Sequence, residues 1–172
     1  KDGGLVQIPS SDQDMLYYDA SRSRIRQCQA FCARTNLDER LCVFPDTGSQ
    51  VNLLASDCLQ PDWESFEDAP LLIDGISQRR QGFTTSKVVN ALIKLRSAMD
   101  TPLMIPCYVV SEAVLPGGVD ILMGAPFMVD YRARLDSAER RLDVMDLHLS
   151  INTMPSAKLI DNFQADELKF LD

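Results

Sequence analysis

The chain has one histidine, no concentrated basic region and no long apolar run, and each of these shortages excludes a class of function. His148 is the only histidine among 172 residues, so Ser–His and Cys–His nucleophilic mechanisms have poor support. A zinc site would also lack its usual ligands. No apolar run approaches the roughly 20 residues that a membrane span requires, and no signal peptide is visible. We therefore expect neither a metal nor a membrane to be involved.

Basic side chains are sparse as well. The chain has 17 Lys and Arg against 25 Asp and Glu, which gives a formal net charge of −8. The basic residues are scattered, apart from short groups at Arg22–Arg26, Arg79–Arg80 and Arg140–Arg141. This distribution argues against nucleic-acid binding, which needs a concentrated basic surface. The length and the ordinary apolar fraction instead indicate a globular domain with a core of its own.

The cysteine pattern does not fit a secreted disulfide framework. The five cysteines are Cys28, Cys32, Cys42, Cys58 and Cys107. An odd number at irregular spacing indicates reduced thiols inside a cell. Polar residues with occasional apolar ones predict a surface helix over Ala20–Arg34, and such a helix would place Cys28 and Cys32 on one face.

Strand patterns dominate the middle of the chain. Leu41–Phe44 and Val51–Ala55 are continuous apolar runs, which are typical of buried strands. Val89–Leu95 alternates apolar and polar residues, as a half-buried strand does. Ala133–Leu135 and Arg141–Val144 flank a polar stretch that indicates a hairpin turn. These patterns predict an all-β fold.

The two ends of the chain are predicted to be additions to this β core. Residues 1–36 are expected to be an N-terminal extension or linker, and the main domain is expected to span residues 37–146. Residues 147–172 are expected to form a tail that begins with a strand, because Leu147, Leu149 and Ile151 alternate with polar residues. An amphipathic helix is predicted to follow from the spacing of Ile160, Phe163, Leu168 and Leu171.

Two short motifs in the central segment indicate chemistry based on a carboxylate. The first, Asp46-Thr47-Gly48-Ser49, separates two apolar strands and places an Asp at the tip of one of them. The second, Asp120-Ile121-Leu122-Met123-Gly124, is an apolar strand that ends in Gly and is followed by a short helix start. A carboxyl at a strand tip can serve as a general acid or base, and a Gly allows backbone to come close to it.

The order and separation of these motifs resemble those of retropepsin-like aspartic peptidases, especially the enzymes of long-terminal-repeat retrotransposons. In that family the Asp-Thr-Gly turn is followed by a flap hairpin, a strand of the type Asp-apolar-apolar-apolar-Gly and a short helix. Here residues 74–82 are similar to the flap, and Tyr131–Val144 is similar to the hairpin that follows the helix. The similarity covers residues 38–146.

The resemblance implies a closed all-β barrel with one short helix after Gly124, and it assigns roles to particular residues. Asp46 would be the catalytic acid, Thr47 would hydrogen-bond across to a partner loop, and Gly48 would offer backbone to the substrate. The walls of the substrate pocket would come from Phe44, Ser49, Val51 and Leu122. The flap contacts to the substrate would come from Gly75, Ile76 and Ser77. Asp120 is expected to hold structure rather than to catalyse.

Only one Asp-(Ser/Thr)-Gly motif is present in the chain, whereas aspartic peptidase chemistry needs two carboxylates. The second carboxylate is therefore predicted to come from a second copy, so that the active form is a symmetric homodimer. The resemblance implies an endopeptidase without a cofactor that cleaves extended polypeptide. Its expected task is the processing of a retroelement polyprotein within the cell, in the cytoplasm or in virus-like particles.

Some alternatives remain open at this stage. Pro45 stands where the family usually has an aliphatic residue, and a proline supplies no backbone donor. This departure keeps a second hypothesis in view, namely an inactive retropepsin-like module for dimerisation or peptide binding. A β interaction domain unrelated to peptidases is the third. Residues Gln78–Gln81 are compatible with an exposed flap turn or with a surface that recognises acidic substrate residues.

Overall fold

The computed structural model describes residues 28–73, 83–96 and 98–171. Within these ranges the N-terminal half contains strands β1 (Gln29–Thr35), β2 (Arg40–Pro45), β3 (Leu53–Ala55), β4 (Ser65–Ile73), β5 (Phe83–Lys94) and β6 (Leu103–Val110). The C-terminal half contains β7 (Ile121–Met123), helix α1 (Ala125–Asp130), β8 (Ala133–Asp136), β9 (Arg141–Val144), β10 (Leu149–Asn152), β11 (Met154–Pro155) and helix α2 (Ser156–Leu171).

The main sheet of the described residues closes on itself. Its strand order is β11-β1-β2-β7-β3-β6-β5-β4, and a further pairing joins β1 to β5. The ring β1-β2-β7-β3-β6-β5 is therefore a closed barrel, with β4 and β11 attached outside the ring. Most neighbours are antiparallel, but β2 pairs in parallel with β7, and β3 pairs in parallel with β6. The predicted all-β closed barrel with a short helix directly after Gly124 is confirmed.

Short buried strands explain why the sequence shows continuous apolar runs. Every residue of β3 and of β7 is buried. Leu54 belongs to one hydrophobic cluster, which contains Phe127 of α1, and Leu53 belongs to a second, which contains Leu159 of α2. Side chains of a strand alternate between faces, so a strand covered on both faces is apolar at every position.

A hairpin follows α1, as the sequence predicted. Strands β8 and β9 are antiparallel, with Leu135 opposite Leu142, and β10 adds a third strand. The backbone N–H of Glu139 donates to the Asp136 side chain at 3.0 Å and stabilises the turn. Leu142 and Val144 are fully buried in the first cluster, so this small sheet covers one side of the barrel.

The predicted helix over Ala20–Arg34 is wrong for the part that the structure describes, because residues from Gln29 onward form β1. This strand pairs with β2 and also with β5. Four of its side chains are almost fully buried, namely Ala30, Phe31, Ala33 and Thr35. These long-range pairings decide the conformation and outweigh the polar local pattern. The boundary expected between residues 36 and 37 falls in the turn that joins β1 to β2.

The C-terminal tail contains a strand, β10, and a helix, α2, in the stretches predicted to form them. β11 pairs with β1, and α2 packs on β1 and β2. Leu159 is buried, and the Arg40 guanidinium lies 4.9 Å from the centre of the Phe163 ring. Gly118 has a φ of 80°, a backbone conformation that favours glycine because a Cβ would be strained there. None of the described helices has the length and apolar character needed to cross a membrane.

Candidate active site

Asp46 lies at the end of β2, where the chain turns. Its backbone N–H donates to Met123 O on β7 at 2.8 Å, and its carbonyl accepts from Ser49 N at 3.1 Å. The Gly48 N–H donates to the Asp46 carboxyl oxygen Oδ1 at 3.0 Å. The carboxyl group is therefore held by the turn that follows it, and the backbone beneath it is fixed to β7.

The protonation of Asp46 is shifted by its surroundings. Partial burial raises the pKa of the Asp46 carboxyl, because a charged carboxylate loses hydration there, and the Gly48 hydrogen bond opposes this in part. No cation is among the causes. Asp46 therefore holds a proton more readily than an ordinary aspartate, which suits a general acid.

The two residues after Asp46 face outward. Thr47 and Gly48 are both exposed. Within the part of the chain that the structure describes, the Thr47 hydroxyl makes no hydrogen bond, so it is available to a group outside the subunit. The tip of the loop therefore presents a carboxyl, a hydroxyl and bare backbone on one surface.

Gly124 lies directly under the loop. A Cβ at this position would stand 2.3 Å from Val51 O and 2.7 Å from Ser49 O, which are rigid backbone atoms. The N–H of the next residue, Ala125, donates to Ser49 O at 2.7 Å. The strand that carries the second motif thus supports the loop of the first motif by backbone contact, and this close approach requires glycine.

Asn52 is the member of the site that the sequence analysis missed. Its side-chain oxygen accepts from Gly124 N at 2.8 Å, and its side-chain nitrogen donates to Pro106 O at 3.2 Å. Its carbonyl also accepts from Tyr108 N at 2.9 Å. Asn52 is only 5% exposed, so it links the support of the loop to β6 within the core. A lone amide inside the apolar run Val51–Ala55 was the available signal.

Asp120 holds structure, as the sequence analysis expected. Its side chain accepts from Cys42 N at 2.8 Å, and its own N–H donates to Cys42 O at 2.9 Å. Its carbonyl accepts from Ala55 N at 2.9 Å. Burial raises the pKa of the Asp120 carboxyl, although the Cys42 N–H hydrogen bond acts in the opposite direction. Asp120 therefore joins β2, β3 and β7 below the site.

Pro45 fits β2 without the loss of a hydrogen bond to β7. The bonds that join β2 to β7 include Cys42 O and Asp46 N, and residues at alternate positions face the same neighbour. The nitrogen of Pro45 consequently points away from β7. On the other side of β2, the last residue paired with β1 is Val43, so Pro45 lies beyond that pairing too. A proline is well tolerated at such a strand end.

The residues predicted to form pocket walls differ in exposure. Phe44 is half-buried and stands opposite Leu122 in the parallel register of β2 and β7. Leu122 is only 1% exposed and is a core residue within the subunit. Val51 is half-buried, and the Ser49 hydroxyl donates to Val51 O at 2.8 Å. The partly exposed members are thus Phe44, Ser49 and Val51.

The predicted flap residues Gly75, Ile76 and Ser77 lie outside the described residues, as does the whole of 74–82. β4 and β5 lead into and out of this segment as an antiparallel pair that ends at Ile73 opposite Phe83. Among the described residues, no three His, Cys, Asp or Glu side chains form a group suited to a metal ion. The chemistry that the described site offers is that of the Asp46 carboxyl.

Comparisons with known proteins find distant structural similarity. No family model and no curated protein matches the sequence. The retroviral protease-like domain of Ddi1 from Leishmania major is 10% identical over 76% of this chain and 94% of its own, with a TM-score of 0.49. A protein of unknown function from Legionella pneumophila is 16% identical over 64% of this chain and 91% of its own, with a TM-score of 0.36. Similarities this distant do not define the activity of the chain.

Proposed function

We propose that this protein is an aspartic endopeptidase of the retropepsin-like type, which cleaves extended polypeptide as a homodimer. The observation that supports the proposal is the setting of Asp46. Its carboxyl stands at the tip of a buried strand, its pKa is raised by partial burial, and its loop rests on Gly124. A surface Asp-Thr-Gly turn of ordinary type needs none of this support.

The proposed mechanism uses two Asp46 carboxyls that share one proton. Like charges about 3 Å apart cannot both ionise, so one carboxyl stays protonated while the other is ionised. The ionised group removes a proton from water, and the protonated group donates to the oxygen of the scissile carbonyl. The two groups titrate as a pair. The raised pKa of the single Asp46 favours the state with one proton.

The second carboxyl is proposed to come from a second subunit related by two-fold symmetry. The chain has a single Asp-Thr-Gly motif, and Thr47 and Gly48 are exposed beside Asp46. In the dimer, Thr47 would donate across the interface and Gly48 would face the substrate backbone. The 74–82 segment would cover an extended peptide, which is bound as an added strand. The proposed substrate is a retroelement polyprotein that contains this domain.

The test is cleavage of a mixed peptide library by the purified protein, followed by mass spectrometry. Asp46→Asn should reduce the rate by about 10³-fold or more, because both proton transfers are lost, while circular dichroism remains unchanged. Asp100→Asn is the matched control, since Asp100 also precedes a Thr but is exposed in a bend of the chain. We expect it to retain full activity. Undiminished cleavage by the Asp46→Asn protein would overturn the proposal.

The pH profile of cleavage gives an independent check. The carboxyl pair must hold one proton, so the rate should be highest at mildly acidic pH and should fall as the pair loses its last proton. A rate that rises steadily to alkaline pH would contradict a carboxyl mechanism.

The alternative, an inactive module for dimerisation or peptide binding, drew its support from Pro45. Because Pro45 costs β2 no hydrogen bond to β7, the catalytic proposal is preferred. A purified protein that dimerises and binds peptides but leaves them uncut would favour the alternative.

A further inference from the structure

Two cysteines face each other across the hairpin that leads to Asp46. In the antiparallel register of β1 and β2, Cys32 stands directly opposite Cys42. Both side chains lie on the face of the second hydrophobic cluster. Neither residue has a part in the proposed hydrolysis, and none of the five cysteines is in a disulfide.

Cys32 and Cys42 form a non-hydrogen-bonded pair of the antiparallel ladder, in which the two strands lie closer together. Both backbone groups of Cys42 bond to Asp120, since Cys42 N donates to its side chain and Cys42 O accepts from its N–H. Neither group therefore points toward β1. Opposed residues that do not exchange backbone bonds have Cα atoms about 4.5 Å apart, and disulfides span Cα separations of about 4.4–6.8 Å. The backbone thus already has a spacing that a disulfide accepts.

Exposure and charge distinguish the two thiols. Cys32 is half-buried, whereas Cys42 is 1% exposed. Burial raises the pKa of the Cys32 thiol, but the nearby Arg34 and Arg40 lower it. Burial and the neighbouring Asp120 raise the pKa of Cys42 to about 12. Cys32 is therefore the thiol that an oxidant meets first and the one that ionises more readily.

We propose that Cys32 and Cys42 form a reversible disulfide that closes the β1–β2 hairpin under oxidising conditions. With a small disulfide such as oxidised glutathione as oxidant, the Cys32 thiolate attacks one of its sulfurs, and one glutathione leaves as thiolate. The Cys42 thiolate then attacks Cys32 Sγ and displaces the second glutathione. Two electrons pass from the protein to the oxidant, and the two protons from the thiols end on two glutathione molecules.

The position of this bond gives it a consequence for the site. β2 runs from Arg40 to Pro45 and continues directly into Asp46. A covalent link at Cys42 would fasten this strand to β1, which otherwise depends on hydrogen bonds and packing. Oxidation should therefore stabilise the barrel, because the link restricts the unfolded chain. This inference does not depend on peptidase activity.

The experiment is oxidation of the full chain by glutathione buffers of increasing oxidised fraction, followed by proteolytic digestion and mass spectrometry. We expect a peptide pair joined through Cys32 and Cys42, lighter by two hydrogen atoms, that disappears on reduction. The reaction should become faster as pH rises, because a thiolate attacks in both steps. The thermal midpoint of unfolding should rise in the oxidised protein and return on reduction.

Variants distinguish this pair from Cys28, which lies close enough to Cys42 to contribute to its raised pKa. Cys28→Ala should retain the link, as should Cys107→Ala, whereas Cys32→Ala should abolish it. Cys32 is only half-buried, so its removal leaves a folded protein for the assay, which Cys42→Ala does not guarantee. A link from Cys28 to either partner, or glutathione that persists on Cys32 in the otherwise intact chain, would overturn the proposal.

Discussion

The loop after β2 is fixed to its neighbours by backbone hydrogen bonds, whereas the outer strand β4 has a single neighbour among the described strands and is mostly exposed. Backbone hydrogen bonds join the loop to β7 through Asp46 N and to the start of α1 through Ser49 O. The backbone of Gly124 also packs directly against the loop, because Gly124 has no side chain. β4 lies at the edge of the described sheet, pairs only with β5, and exposes every residue from Ser65 to Pro70. Its register also shifts between Glu67 and Leu71.

This difference shows that the fold fixes the position of the Asp46 loop more firmly than that of β4. The proposed mechanism requires the Asp46 carboxyl to be held within a fraction of an ångström, and the loop is joined by backbone hydrogen bonds to β7 and to the start of α1. β4 leads to the 74–82 segment and gains little from burial, since Leu72 is 67% exposed and Phe66 is 46% exposed. We therefore expect changes beneath the loop to be costly and changes on β4 to be minor.

The largest effect should come from Gly124→Ala. The added Cβ would meet Val51 O at 2.3 Å, so the loop or β7 must move. We expect a loss of about 3 kcal/mol in the free energy of unfolding, measured by urea denaturation. Gly117→Ala is the matched control, because a Cβ there meets nothing within 4 Å; it should change stability by less than about 0.5 kcal/mol. Equal losses of unfolding free energy in the two variants would contradict the claim that the loop depends on its close contact with Gly124.

A smaller loss should follow Asn52→Ala. The change leaves Gly124 N and Pro106 O without their partner in the core, which costs about 2 kcal/mol. Asn90→Ala serves as the control, since its amide makes only an exposed contact of 3.4 Å to Glu64.

Asn52→Asp sharpens this test. A protonated carboxyl can still accept from Gly124 and donate to Pro106, whereas an ionised one cannot donate. This variant should therefore approach wild-type stability as pH falls. If the stability lost in Asn52→Asp does not change with pH, then Asn52 does not stabilise the protein through its hydrogen bonds to Gly124 and Pro106.

The smallest effect should be that of Asp46→Asn on stability. The folded pKa of Asp46 is raised above the ordinary value of 3.8 by burial, so the charged group opposes folding once pH rises through the folded pKa. The variant should be more stable than wild type near neutral pH, and this gain should disappear below pH 3.8. Urea denaturation across this range measures it.

Asp143→Asn provides a control of opposite sign. Hydrogen bonds from the Ser150 hydroxyl and from Arg141 lower the pKa of Asp143, so its charge contributes stability above the ordinary aspartate pKa. This variant should lose stability near neutral pH and match wild type in acid. If both variants showed the same trend with pH, burial would not be the cause of the Asp46 shift.

The sequence predicted those features whose signals are local. The Asp46–Ser49 turn and the strand ending at Gly124 are short contiguous patterns, and alternating or continuous apolar runs indicated most strands of the barrel. Asn52 was missed because its bonds go to Gly124 and Pro106, which are far along the chain. β1 was mistaken for a helix because its burial depends on pairing with β2 and β5. The predicted roles of Gly75, Ile76 and Ser77 stay predictions.

The central claim is that one carboxyl per chain becomes active only when two chains meet. It is tested most directly by mixing wild-type protein with the Asp46→Asn variant at constant total concentration, after subunit exchange, and measuring the cleavage rate. If each site needs Asp46 from both subunits, the rate should follow the square of the wild-type fraction, so that an equal mixture retains about one quarter of the activity. A rate that falls in direct proportion, to about one half, would contradict the claim.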